Sequence, residues 1–389
     1  MKKIITLLLI AVCAHITWAT ELTEHKIGQS ETTELTLLAN TGTAAPVTTP
    51  MGMTTLPLAE GKGPTTVFYP TLARQQTLQR GPFAFGVAVD APAAQGNRRL
   101  IVISHGSGGA SWPLTDLARS FVAAGFVVAM PEHAGDNYKS KSNMGPDSWK
   151  LRPQEVSAAI DAVAADGRFA PLLDTQRVGV YGPSAGGFTA LVLGGAVWSP
   201  VNFQKHCLGN TAADFGACGG LVVRLRGNWL DGVKLAVTRL VHRLRYSDTE
   251  RYAHTDSRVV AVLAAVPIAA AIDMSSLAAS SAATAPVAIG LVRAGQDIEL
   301  QPRFHIDAVR AACARCELVA DLPLAGHDSL FSPWPQDFAA TLGVQAIDPA
   351  GFDRGALPQV YAQVVQFFAA HLLVSQAAAT SPSTKQTTR

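Results

Sequence analysis

Three features of the chain predict an α/β fold, with a mainly parallel sheet and helices on both faces. The first is a set of short, continuous apolar runs at 100–103, 126–130, 178–180, 259–266 and 287–292. Unbroken apolarity over a strand's length is what burial on both faces requires. The second is helical spacing between those runs, at 114–124, 153–165, 188–193, 304–312 and 359–373. Parallel neighbours need a crossover, and alternating strands and helices provide one. The third is bulk: 389 residues, 48% hydrophobic and 15% charged, can bury a large core. So little charge excludes an extensively disordered chain, and a formal net charge of +2 leaves no basic field for nucleic acid.

Taken in order, Lys2 and Lys3 precede a short apolar run, and Thr17-Trp18-Ala19 places small residues where a signal peptidase reads. Residues 1–19 therefore read as a signal peptide, and the protein as exported to the periplasm or secreted. A lipoprotein signal ending at Cys13 fits less well, because Val12 precedes it. Residues 20–63, rich in Thr and small side chains, read as an N-terminal extension. From 64 to 375 we expect one domain. It begins with segments 66–69 and 83–89, which alternate like antiparallel edge strands, and its last strand is at 317–322. A non-repeating insertion at 198–257 reads as a cap, and 376–389 as a disordered tail.

Export leaves Cys207, Cys218, Cys313 and Cys316, an even number suited to disulfides. Three pairings are possible, of which Cys207–Cys218 with Cys313–Cys316 is the simplest. A four-cysteine zinc site would need a second close pair, which 207 and 218 do not make.

The chemistry centres on Gly182-Pro183-Ser184-Ala185-Gly186, a Gly-x-Ser-x-Gly pattern between an apolar strand and a helix. A sharp strand-to-helix turn of this kind lifts the serine hydroxyl above the sheet. A hydroxyl needs a base, and the base a third group to orient it, in the chain order Ser, acid, His. His327, in Ala325-Gly326-His327-Asp328 just beyond a strand, is the candidate base. His305 and His371 fall in helical segments, and His206, His242 and His254 in the insertion. Asp297, on the loop after the 287–292 strand, is the candidate acid; Asp273 is its substitute, and Asp328 is too close in sequence to orient its neighbour. Two N–H donors must hold the oxyanion. Ala185 offers one, and Ser107 the other, from the glycine-rich turn His105-Gly106-Ser107-Gly108-Gly109. His105 is expected to brace that turn.

His105-Gly106-Ser107-Gly108-Gly109, Gly182-Pro183-Ser184-Ala185-Gly186-Gly187, Ala294-Gly295-Gln296-Asp297 and Ala325-Gly326-His327 resemble the motifs of predicted dienelactone hydrolases. These are bacterial α/β-hydrolases related to platelet-activating-factor acetylhydrolases. The likeness extends to Pro131-Glu132-His133-Ala134-Gly135-Asp136-Asn137, and it covers roughly 64–373. It implies an α/β-hydrolase fold and serine esterase chemistry. There are two departures. Acetylhydrolases of this group carry their acid after the strand that follows the nucleophile helix, where this chain reads Ala264-Ala265-Val266-Pro267; dienelactone hydrolases use cysteine where Ser184 stands.

The expected function is hydrolysis of short-chain or phospholipid acyl esters through an acyl-enzyme, with no cofactor or metal, by a monomer. A peptidase, a thioesterase and a catalytically silent binding protein are the alternatives. Within the insertion, Leu230, Val233, Val237, Leu240, Val241 and Leu244 recur at helical spacing opposite Lys234, Arg239, His242, Arg243 and Arg245. Such a helix either packs on the core or makes transient contact with a lipid surface. Trp198, Phe203, Phe215 and Trp229 line an acyl pocket or serve as packing.

Overall fold

The computed structural model describes residues 49–58, 62–220, 223–279, 286–338 and 347–373. The segment read as a signal peptide, most of the stretch read as an N-terminal extension and the segment read as a tail lie outside the described residues.

Ten strands form one sheet: β1 Met51–Leu56, β2 Thr65–Pro70, β3 Gln76–Arg80, β4 Phe83–Val89, β5 Leu100–Ile103, β6 Val127–Pro131, β7 Val178–Pro183, β8 Val259–Ala265, β9 Ala288–Ala294 and β10 Glu317–Leu322. Their spatial order is β10-β9-β8-β7-β5-β6-β2-β1-β4-β3. From β6 to β10 neighbouring strands run parallel, and β2 joins β6 antiparallel. This order, with β5 and β6 exchanged and helices on both faces, is the α/β-hydrolase fold.

Alternation along the central strands supplies both faces of the core. Val102 and Val180 point to one side, against Ile160 and Val163 of α2 (Pro146–Ala165) and Phe188 of α3 (Ala185–Leu193). Ile101, Ile103 and Tyr181 point to the other, against Phe121 of α1 (Thr115–Ala123) and Phe368 of α9 (Leu357–Leu372). Burying each such aromatic or aliphatic side chain is worth about 1.5–3 kcal/mol.

Three sequence expectations need correction. The sheet begins at Met51, inside the stretch read as an N-terminal extension, because β1 pairs with β2 in full register. Strand β2 is no edge: Val67, Phe68 and Tyr69 are all buried, between β6 and β1. Helix α2 starts at Pro146 and carries Pro153 in its interior instead of beginning there.

The insertion holds α4 (Pro200–Asn210), α5 (Phe215–Gly219) and α6 (Leu230–Arg245). Both sequence-local disulfides form, Cys207–Cys218 joining α4 to α5 and Cys313–Cys316 following α8 (Ile306–Ala312). A buried carboxylate fastens the cap to the core. Asp214 Oδ2 accepts from His206 Nε2 at 2.7 Å and from His305 Nε2 at 2.9 Å, while Oδ1 accepts from Gln301 N–H at 3.1 Å. Burial opposes its charge, but the two imidazoles hold its carboxyl well below the usual range.

Helix α6 sits with its apolar stripe outward. Trp229 and Leu244 are 80% and 66% exposed, and Val233, Val237 and Leu240 are exposed with them. The residue it buries is His242, whose Nε2 meets the Cys218 carbonyl at 2.8 Å. Packing on the core is therefore not what its hydrophobic face does. Trp198 and Phe203 are packing, in ring contact with Trp149. No described helix is long and apolar enough to cross a membrane.

Candidate active site

Ser184 lies between β7 and α3 with φ 57° and ψ −119°, in the positive-φ region that L-residues avoid. Its backbone is over-determined by neighbours. The Ser184 N–H donates to Ala265 O at 3.0 Å, and its carbonyl accepts from Phe188 and Ile268 N–H at 3.1 Å. Glycines permit the close crossing: a Cβ on Gly182 would meet the Gly186 backbone at 2.2 Å, and one on Gly186 would meet Ser104 O at 1.7 Å.

His327 follows β10 and Asp297 follows β9, so two loops at the same edge of the sheet bring them together. His327 Nδ1 meets Asp297 Oδ2 at 2.7 Å, and Asp297 Oδ1 accepts the N–H groups of Glu299 at 2.9 Å and Leu300 at 2.8 Å. With both its oxygens engaged, Asp297 is fixed as an acceptor and fixes the imidazole in turn. Burial opposes a charged imidazole. The carboxylates of Asp297, Glu299 and Asp328 outweigh it and push His327 up to about 10. Asp273, the substitute acid, is instead bonded to Ser275 and Arg251. Asp328 makes no bond to its neighbour's ring among the described residues, and burial pushes it up to about 7.

The turn after β5 reaches Ser184 directly, since a Cβ on Gly106 would lie 3.4 Å from the Ser184 Cβ. Two of its N–H groups are taken, Gly108 by Asp136 Oδ1 at 2.7 Å and Gly109 by Gly106 O at 3.1 Å. Among the described residues the Ser107 N–H has no acceptor. The Ala185 N–H belongs to the first turn of α3, where a helix leaves its donors without internal partners.

Behind this turn lies a buried polar network that sequence reasoning missed as a site component. Asp136 Oδ1 also accepts from Ser107 Oγ at 2.7 Å, and Oδ2 accepts from Ser148 Oγ at 2.6 Å and Arg152 Nη2 at 2.9 Å. Arg152, fully buried, donates onward to His105 O at 2.6 Å and Gly106 O at 3.2 Å. Burial works against the Asp136 charge; the guanidinium and hydroxyls overcome it and hold the carboxyl well below the usual range. His105 braces the turn as expected: Nδ1–H meets Gly106 O at 2.7 Å, and Nε2 accepts the His133 N–H at 3.3 Å. Burial, the adjacent His133 and the Arg152 guanidinium hold its imidazole well below the usual range.

Ser184 and His327 line one cavity of about 450 Å³, together with Ser107, Met144, Phe331 and Trp334. The last three are residues that no motif marked. A second cavity of about 510 Å³ shares His327 and is bordered by the exposed Ile298 and Ile347. Ser184, the Asp297–His327 pair and the Ser107 and Ala185 N–H groups thus gather at the carboxyl edge of the parallel strands.

No protein-family model matches the chain, and no curated protein does. Among solved structures, a ferulic acid esterase from Streptomyces cinnamoneus is similar at 18% identity and a TM-score of 0.49, covering 88% of this chain and 96% of that one.

Proposed function

We propose that the protein is an exported serine carboxylic-ester hydrolase working as a monomer. The observation that carries this is the Asp297–His327 hydrogen bond at 2.7 Å, over the cavity that also holds Ser184 on its positive-φ turn. In the proposed mechanism His327 Nε2 takes the Ser184 Oγ proton as Oγ attacks the ester carbonyl. The Ser107 and Ala185 N–H groups hold the oxyanion. The tetrahedral intermediate collapses, His327 returns the proton to the departing alcohol, and water then releases the acid by the reverse roles. A fluorophosphonate probe should form one covalent adduct, on Ser184, in peptide mass spectra. An unlabelled protein would favour a binding role instead.

The substrate class we propose is a short-chain or phospholipid acyl ester, supported by the apolar wall of Phe331, Trp334, Met144 and Leu114. Contact with a lipid surface through α6 is supported by its outward stripe, flanked by the exposed Arg239, Arg243 and Arg245. A basic face adds attraction to anionic headgroups. The purified protein should therefore co-sediment with vesicles containing phosphatidylglycerol and less with phosphatidylcholine alone. Substituting Trp229, Leu240 and Leu244 by serine should reduce binding at least tenfold; unchanged sedimentation would remove α6 from the interface.

A further inference from the structure

Glu299 lies two residues past Asp297 and is 5% exposed. Its carboxylate is turned to the opposite side of the same imidazole, with Oε2 3.9 Å from His327 Nε2. Among the described residues Oε2 has no hydrogen-bond partner. On its far side, Oε1 lies 3.8 Å from Arg224 Nη2, which belongs to the cap segment between α5 and α6. The imidazole therefore has a carboxylate bonded to Nδ1 and another facing Nε2, the atom that has to serve Ser184. In this structure Ser184 Oγ makes no hydrogen bond to His327. A buried carboxylate oxygen left bare is costly, so its placement calls for a role.

We propose that Glu299 is a positioning residue for His327, facing the Nε2 side of the ring that Ser184 must use, and that Arg224 of the cap opposes its pull. The inference rests on the catalytic reading above. When Nε2 receives the serine proton, Glu299 stands beside the new positive charge and stabilises it. In the free enzyme the same attraction favours the protonated ring, which cannot act as a base. Glu299 thus sets the pH at which the site turns on, and Arg224 moderates it.

The other charged groups around the ring are Asp297 on Nδ1, Asp328 beside it, and Asp348 and Lys141 on the walls of the two cavities. Arg354 acts on Asp328 and is bonded to Asp348. Against this background Glu299 is the carboxylate set against Nε2, and Arg224 is the cation set against Glu299. The imidazole must be neutral to take a proton, so kcat/KM rises with pH through its titration, and we expect that limb above neutrality. Removing the Glu299 charge lowers the imidazole pKa and moves the limb to lower pH. Removing the Arg224 charge leaves Glu299 unopposed and moves it higher.

The test is the pH dependence of kcat/KM for 4-nitrophenyl butyrate, corrected for background hydrolysis, in the wild type, Glu299→Gln and Arg224→Gln. Glu299→Gln should shift the rising limb down by about one pH unit and lower the plateau above it, because the imidazolium formed at Nε2 loses its neighbouring charge. Arg224→Gln should shift it upward. Limbs that stay in place, or that move in the same direction in both variants, would overturn the proposal. If Glu299→Gln does not fold, Arg224→Gln decides alone: it alters a partly exposed side chain, and an unmoved limb there is sufficient refutation. Fluorophosphonate labelling of each protein separates the two levels. An unlabelled wild type would overturn the esterase reading itself, whereas normal labelling with unmoved limbs would overturn the role of Glu299 alone.

Discussion

Ser184→Gly is expected to abolish turnover, lowering kcat on the order of a millionfold, while making the fold more stable by about 1 kcal/mol. In the proposed mechanism the first effect follows from deleting the attacking oxygen, which leaves His327 and Asp297 nothing to activate. The second follows from the backbone. At φ 57° and ψ −119°, Ser184 occupies a region that glycine enters freely and other residues enter at a cost of about 1–3 kcal/mol. The hydrogen bonds to Ala265, Phe188 and Ile268 hold the strained conformation in place and survive the substitution. Ser184→Ala provides the control, since it removes the hydroxyl but keeps a Cβ and hence the strain. Ester hydrolysis and urea midpoints measured on all three proteins test both parts. A glycine variant no more stable than the alanine variant would show that the elbow stores no strain.

Arg152→Met should destabilise the protein by about 3–5 kcal/mol, the usual cost of leaving one member of a buried ion pair alone. Asp136 would lose its guanidinium, and the carbonyls of His105 and Gly106 would lose their donors. The consequence reaches the chemistry because the same turn carries the Ser107 N–H. If that donor drifts, kcat should fall about 100–1,000-fold, as when an oxyanion donor is removed. Adding Asp136→Asn to Arg152→Met removes the stranded charge and should restore part of the stability but not the rate. Melting and kinetics of the single and double variants check this. A single variant that melts like the wild type would mean the pair does not hold the turn.

The candidate site was legible where its signal was local. Gly-x-Ser-x-Gly after an apolar run, an Asp after one strand and a His after the next are each short patterns with a physical reason. The central parallel strands were legible too, because burial on both faces leaves β5, β6 and β8 without a polar side chain. Strand β3, Gln-Thr-Leu-Gln-Arg, is almost wholly exposed and exists by pairing with β4, so its composition could not announce it. In α6 the spacing gave the two faces of the helix but not which one meets the core. Glu299 belongs to no motif and carries no local signal of its own. Its meaning depends on Arg224 and His327, which lie 75 and 28 residues away in sequence.

The exchange of β5 and β6 in the sheet has a consequence for how such a molecule can change over time. The loops after β5, β7, β9 and β10 all leave one edge; Phe331 and Trp334 follow His327 on the β10 loop, whereas Met144 stands just before α2 on a segment that bears none of the motif residues. Part of the cavity wall is therefore encoded in a stretch of chain separate from the motif residues, and part is not. A lineage could exchange the Met144 segment and reshape the cavity while Ser184, Asp297 and His327 stay untouched, because the scaffold that aims them does not depend on that segment.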